Sequence, residues 1–163
     1  MSRLKPRDAA HGPAPASRDG RAEKSPASKQ RVLFVCVGNC IRSQLAEAFA
    51  RAYGADVMEA SSCGLAPAGF IAPPVLRILR ERGVAAAGLR SKSLYEAGAG
   101  PFDVVVNISG EALPRQFPAP GRGGKVRDWI IADPFGKADE AFDAAAREIE
   151  ARVMALVLEL RRV

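Results

Sequence analysis

Histidine is almost missing from this 163-residue chain, and its one copy, His11, falls in a stretch of Pro, Ala, Ser and charge. Chemistry in the remainder must proceed without imidazole, which excludes Ser-His-Asp and Cys-His mechanisms and most zinc sites. Cysteine is scarce too. Cys36, Cys40 and Cys63 are an odd number with no secretory signal before them. That argues against a disulfide framework and for a reducing, cytoplasmic setting. No apolar run nears the roughly 20 residues that a membrane span needs. Aromatic residues are only 6% of the chain, and most of the formal charge of +6 sits in the first 30 residues, which hold seven Lys/Arg against three Asp/Glu. The rest is close to neutral, so neither nucleic acid nor a membrane is expected as a partner.

What is present divides the chain in two. Residues 1–30 offer Met1 and Leu4 as their only large apolar side chains. Such a segment buries too little surface to offset its ordering entropy, and it reads as a disordered basic tail. Residues 31–163 read as one catalytic domain of strands alternating with helices. Val32–Val37 is a continuous apolar run, the pattern of a strand buried on both faces. Ser43–Tyr53 follows as a helix with Leu45, Ala48, Phe49 and Ala52 on one face. Val57–Ser61, Asp103–Ile108 and Lys125–Ile131 are the further strands expected. Helices are expected over Val75–Arg82, after Pro73 and Pro74, and over Glu140–Arg161, where Phe142, Ala146, Ile149, Val153, Leu156 and Leu160 form a core-facing stripe. The alternation implies an α/β fold with a parallel sheet covered on both sides, and ligands bind such sheets beyond the carboxyl ends of the strands.

The stretch "VLFVCVGNCIRSQLAEAF" falls at that place. Cys36 ends the first strand, and Cys36–Arg42 is a Cys-x₅-Arg loop leading into the first helix. Successive backbone N–H groups in a tight loop, with the free N–H groups of the helix start, form a cradle for an oxyanion. Val37, Gly38, Asn39, Cys40 and Ile41 supply that cradle. Gly38 permits close approach of the backbone, and Asn39 tolerates a left-handed conformation. Arg42 can hold two oxygens through its planar fork. The same surroundings favour a nucleophilic thiolate at Cys36, to which Ser43 can donate a hydrogen bond. A metal site is not expected, since Cys63 is the only third soft ligand.

The loop resembles the amino-terminal signature of the low-molecular-weight protein-tyrosine phosphatase superfamily, which includes phosphatases and thioredoxin-coupled arsenate reductases. The resemblance continues through "ASSCGLAPAGFIAPPVLRILRERGV", "LRSKSL", "FDVVVNIS" and "DWIIADPFGK". It implies a flavodoxin-like three-layer fold with a four-stranded parallel sheet. It also implies that Cys36 is the nucleophile, Arg42 the oxyanion clamp, Asn39 the holder of the loop and Ser43 the support of the thiolate, with no cofactor.

The general acid is expected to be a carboxylate. Asp133 is the only Asp before a Pro in the chain and follows the apolar "WII" run; Asp128 is the second candidate. The principal expectation is a cysteine-dependent phosphatase of the protein-tyrosine-phosphatase type, acting on a phosphorylated protein or a small phosphomonoester, protein phosphotyrosine foremost, through a cysteinyl-phosphate. The first alternative is an arsenate reductase drawing on a protein or small-molecule thiol, since arsenate has the shape of phosphate. "RSQLAEAFA" and "DPFGK" lean that way. The thioredoxin-coupled branch carries resolving cysteines after the third strand, whereas this chain has Ser109 there. Cys40 or Cys63 could stand in for them. Beyond Asp-Pro only Phe135 offers an aromatic wall for a substrate ring. A third possibility is a non-catalytic anion-binding or redox-sensing module.

Overall fold

The computed structural model describes residues 28–98, 100–115, 117 and 124–163; the expected disordered tail therefore lies almost wholly outside the described residues. In chain order the elements are β1 (Gln30–Cys36), α1 (Arg42–Gly54), β2 (Met58–Gly64), α2 (Pro73–Glu81), α3 (Leu94–Ala97), β3 (Val104–Asn107), β4 (Lys125–Asp128) and α4 (Asp139–Arg161). The four strands form one all-parallel sheet in the order β2-β1-β3-β4. This is the expected α/β, flavodoxin-like arrangement.

β1 lies between two partners, pairing Phe34 with Ser62 on one side and with Val106 on the other. Because it is paired along both edges and covered on both faces, Val32 to Val35 are fully buried, which explains its unbroken apolar run. Side-chain alternation divides that run. Val32, Phe34 and Cys36 face the larger core with α1, α2 and α4. Leu33 and Val35 face a smaller one with Cys63, Phe102 and Val105, covered in part by Leu94 and Ala97 of α3. The helical cover is thus uneven: the three long helices share one face. Among the described residues no helix is long and apolar enough to cross a membrane.

Several boundaries differ from the sequence reading. β2 runs to Gly64, not Ser61, because its ladder with β1 continues to the Cys36–Gly64 pair. α3 was not anticipated; at four residues it lacks a period, although its Ser93/Glu96 capping box is present in the sequence. β4 stops at Asp128 rather than Ile131. Trp129 makes the last ladder bond to the Asn107 carbonyl. Its ring then packs on Phe34 with centroids 5.8 Å apart, turning the chain across the carboxyl end of the sheet. In α4 the stripe from Phe142 to Leu156 is buried as expected, with Ala145 and Val157 added, while Leu160 is only partly covered.

Candidate active site

The strand order reverses between β1 and β3, and the loop after β1 opens at that crevice. Residues 36–42 curl around a left-handed Asn39, whose φ is +46°. Asn adopts this conformation more readily than other non-glycine residues. The segment after β2 straps the loop from outside. Leu65 N bonds the Cys36 carbonyl at 3.0 Å, Ala66 N that of Val37 at 2.8 Å, Ala68 N that of Gly38 at 2.9 Å and Ala72 N that of Cys40 at 3.0 Å. The carbonyls of the loop are thereby turned outward.

Gly64 makes that strap possible. A Cβ there would lie 2.8 Å from the Val37 carbonyl oxygen and 3.0 Å from Asn39 N. Both are backbone atoms, so no flexible side chain can give way. Gly64→Ala is expected to destabilise the fold by about 1–3 kcal/mol in urea unfolding. Because the clash falls on the loop itself, kcat should drop more than a global loss of that size accounts for. An alanine variant with wild-type kcat would show that the strap does not shape the loop.

The expected residues gather tightly. Cys36, Val37, Gly38, Cys40, Ile41, Arg42, Asp133 and Phe135 line one cavity of about 220 Å³, and Ala68 is the lining residue that was not anticipated. Cys36 Sγ lies 2.9 Å from Ser43 Oγ and 3.2 Å from Asn39 N. Arg42 is buried and reaches across the sheet, with Nη1 donating to the Ile131 carbonyl at 3.2 Å and Nη2 to Asp133 Oδ2 at 3.0 Å. Asp133 Oδ1 accepts from Phe135 N at 3.1 Å, and its carboxylate is half exposed. The two charged groups that line the cavity with Cys36 are therefore joined to each other.

Asn39 and Ser43, expected among the anion-binding residues, do not line the cavity; both are fully buried beneath it. Asn39 Nδ2 donates to Ser43 Oγ at 2.7 Å and to Ser62 Oγ at 2.9 Å. Its Oδ1 accepts from Lys92 N at 2.8 Å and Gln44 Nε2 at 3.0 Å. Gln44, Glu47, Ser62, Ser91 and Lys92 were missed by sequence reasoning. Ser91 Oγ donates to the Gly38 carbonyl at 3.1 Å, so the far side of the loop is tied to the segment before α3.

The two other cysteines separate. Cys40 lines the cavity, and its thiol is pushed above the ordinary range by burial, then by the nearby Cys36 and Asp133, with Arg42 opposing. Cys63 is fully buried in the smaller core and does not line the cavity. Burial above all pushes its thiol up to about 12. Asp128, the second acid candidate, accepts from Asn107 Nδ2 at 2.9 Å and lines a different cavity, with Trp129 and Ile130.

A parallel four-stranded sheet with a cysteine loop at its switch point, faced by an arginine and a carboxylate, defines a class of oxyanion-handling enzymes. The sequence matches the low molecular weight phosphotyrosine protein phosphatase family over residues 31–163, and the chain belongs to that family. Among curated relatives, a glutaredoxin arsenate reductase of Synechocystis is 30% identical over 132 residues, covering 80% of this chain and 98% of the relative. Among solved structures, an arsenate reductase in its phosphate-binding state is 30% identical with a TM-score of 0.71, covering 80% of this chain and 98% of its own. YwlE arginine phosphatase from Geobacillus stearothermophilus is 27% identical with a TM-score of 0.68, covering 82% and 94%.

Proposed function

We propose that the protein reduces arsenate, with Cys36 as nucleophile, Arg42 as oxyanion clamp, Asp133 as proton donor and a thiol from outside the chain as second reductant. The cavity carries this reading: a thiol at its base, hydrogen-bonded by Ser43 and Asn39 N, opposite a guanidinium. The likeness to reductases along nearly their whole length supports arsenate over a phosphate ester. In the first step the Cys36 thiolate bonds to arsenic, and a hydroxyl leaves as water with a proton from Asp133. A second thiolate then attacks the Cys36 sulfur. The sulfur–arsenic electron pair stays on arsenic, arsenite departs, and a disulfide remains. Another thiol reduces that disulfide.

The second thiolate is assigned to an external molecule because the chain provides no good internal one. Ser109 occupies the segment after β3, bonded to Asn107 Oδ1 at 2.6 Å. Cys63 lies in the other core, and burial above all pushes the Cys40 thiol up from its ordinary value, which disfavours its thiolate. Phosphomonoester hydrolysis is the second reading. It is favoured by the same thiol, guanidinium and carboxylate, which suffice for a cysteinyl-phosphate cycle without any further thiol.

One assay set tests both. Arsenate-dependent oxidation of glutathione, with and without a glutaredoxin, is measured beside p-nitrophenyl phosphate hydrolysis. Wild type should oxidise glutathione only when arsenate is added, Cys36→Ser should not, and Cys40→Ser should retain the activity. Hydrolysis without arsenate-dependent oxidation would replace the first reading with the second. Loss of arsenate turnover in Cys40→Ser would place the relay inside the chain.

A further inference from the structure

Among the described residues only three charged side chains are buried: Arg42, Glu47 and Lys92. Arg42 belongs to the cavity. Glu47 and Lys92 do not line it, yet both converge on the underside of the same loop. Lys92 Nζ lies 3.1 Å from Glu47 Oε2, 3.3 Å from Ser62 Oγ and 3.2 Å from the Arg90 carbonyl. Ser62 Oγ also bonds Glu47 Oε2, and Arg51 pairs with Glu47 Oε1 from the solvent side. A buried ion pair is a poor source of stability, because an apolar pair of similar volume serves the fold as well or better. Its presence here calls for another explanation.

The directions of the hydrogen bonds supply one. A carboxylate only accepts, so the Ser62 hydroxyl must donate to Glu47. The Ser62 oxygen is then left to accept from Asn39 Nδ2 at 2.9 Å. The Asn39 amide is held in that orientation from its other end by the backbone N–H of Lys92 at 2.8 Å. Its second amide proton goes to Ser43 Oγ at 2.7 Å. With its oxygen so engaged, Ser43 has its own proton free for Cys36 Sγ at 2.9 Å. Lys92 touches this chain at three points, Asn39 through its backbone N–H and Glu47 and Ser62 through its ammonium.

We propose that Lys92 is a positioning residue: an internal cation that balances the Glu47 carboxylate and so fixes the hydrogen-bond chain Glu47–Ser62–Asn39–Ser43 with its last proton aimed at Cys36. The inference rests on the reading of Cys36 as nucleophile. The groups around Cys36 are Ser43, Arg42, Asp133 and Cys40, with Cys63 close enough to interact with it electrostatically from the other core. Those facing Glu47 are Lys92, Arg51 and Ser62. Removing the Lys92 ammonium leaves the Glu47 charge buried, with Arg51 alone beside it. Ser62 and Asn39 then reorient, and the Ser43 proton is no longer committed to sulfur.

The test follows Cys36 itself. The rate of its alkylation by iodoacetamide is measured against pH by peptide mass mapping, which separates it from Cys40 and Cys63. In Lys92→Ala the profile should move to higher pH by about one unit. Turnover should show kcat down about tenfold or more, the value of one hydrogen bond to a charged group, with KM little changed. Methylammonium, which fits the space the substitution opens, should restore part of both. An unmoved profile, or a loss of kcat that methylammonium leaves untouched, overturns the proposal. Should Lys92→Ala fail to fold, Ser62→Ala interrupts the same chain without stranding a charge. It should shift the profile in the same direction, and an unmoved profile there overturns the proposal equally. The alkylation measurement needs no turnover, so its outcome is separate from the Cys36→Ser result that decides the nucleophile.

Discussion

Arg42→Lys is expected to lower kcat about 10²- to 10³-fold, the loss seen when one preorganised oxyanion donor is removed. The charge is retained, so charge alone cannot rescue it. Arg42 is buried and spans from the helix start to the segment beyond β4, holding the Ile131 carbonyl with one nitrogen and Asp133 with another. A lysine ammonium is a single point with no fork; it can hold one of these partners while leaving an oxyanion less well clamped. Arsenate-dependent thiol oxidation and p-nitrophenyl phosphate hydrolysis should fall together, because both reactions would place an oxyanion against the same guanidinium. Far-UV circular dichroism should match wild type. A kcat within threefold of wild type would remove Arg42 from the proposed chemistry.

Phe34→Ala should be the most damaging single change to the fold, at about 3–5 kcal/mol. Phe34 is fully buried at the middle of β1, between Ser62 and Val106, with its ring against Trp129. Truncation opens a cavity where the central strand, two neighbours and the Trp129 turn meet. Against a total stability of about 5–15 kcal/mol this is a large fraction, and the melting temperature should drop by about 10–15 °C. The effect should also reach the site. Trp129 precedes the Ile131–Asp133 segment that Arg42 grips, so surviving folded protein should show weakened activity as well. A loss below 1 kcal/mol in urea unfolding would mean that the core refills the space.

The parts of the site legible in the sequence share one property: they stand close together in the chain. Cys36, Gly38, Asn39, Arg42 and Ser43 form a single local motif whose chemistry follows from order and spacing. Asp133 carries its own mark in the proline that follows it. The residues that stayed hidden act at a distance. Gln44 and Glu47 sit on α1, where polar side chains ordinarily mark a solvated face, yet every residue from Arg42 to Ala50 is buried. Only the tertiary placement of that helix against β2 and the segment before α3 turns Glu47 toward Lys92. Ser62 fell just outside the expected strand Val57–Ser61, because the β1–β2 ladder is longer than the apolar pattern suggests. The identity of β1 and β3 followed from their apolar runs, whereas strand length depended on backbone bonds that polar residues make equally well.

The division between floor and rim of the cavity has a consequence for how such a site can diversify. The floor is a network of groups from α1, β2 and the Ser91–Lys92 segment, anchored to Asn39 and, through Ser91, to the Gly38 carbonyl. The rim comes from elsewhere: Ala68 on one loop, Asp133 and the exposed Phe135 on another. Substitutions at Ala68 and Phe135 can change what enters while leaving Cys36, Arg42 and Asp133 in place. Those in the floor alter reactivity whatever the occupant. A change at Ala68 or Phe135 is thus expected to alter which oxyanion is accepted, whereas a change at Asn39 or Ser62 alters the surroundings of the Cys36 thiol itself.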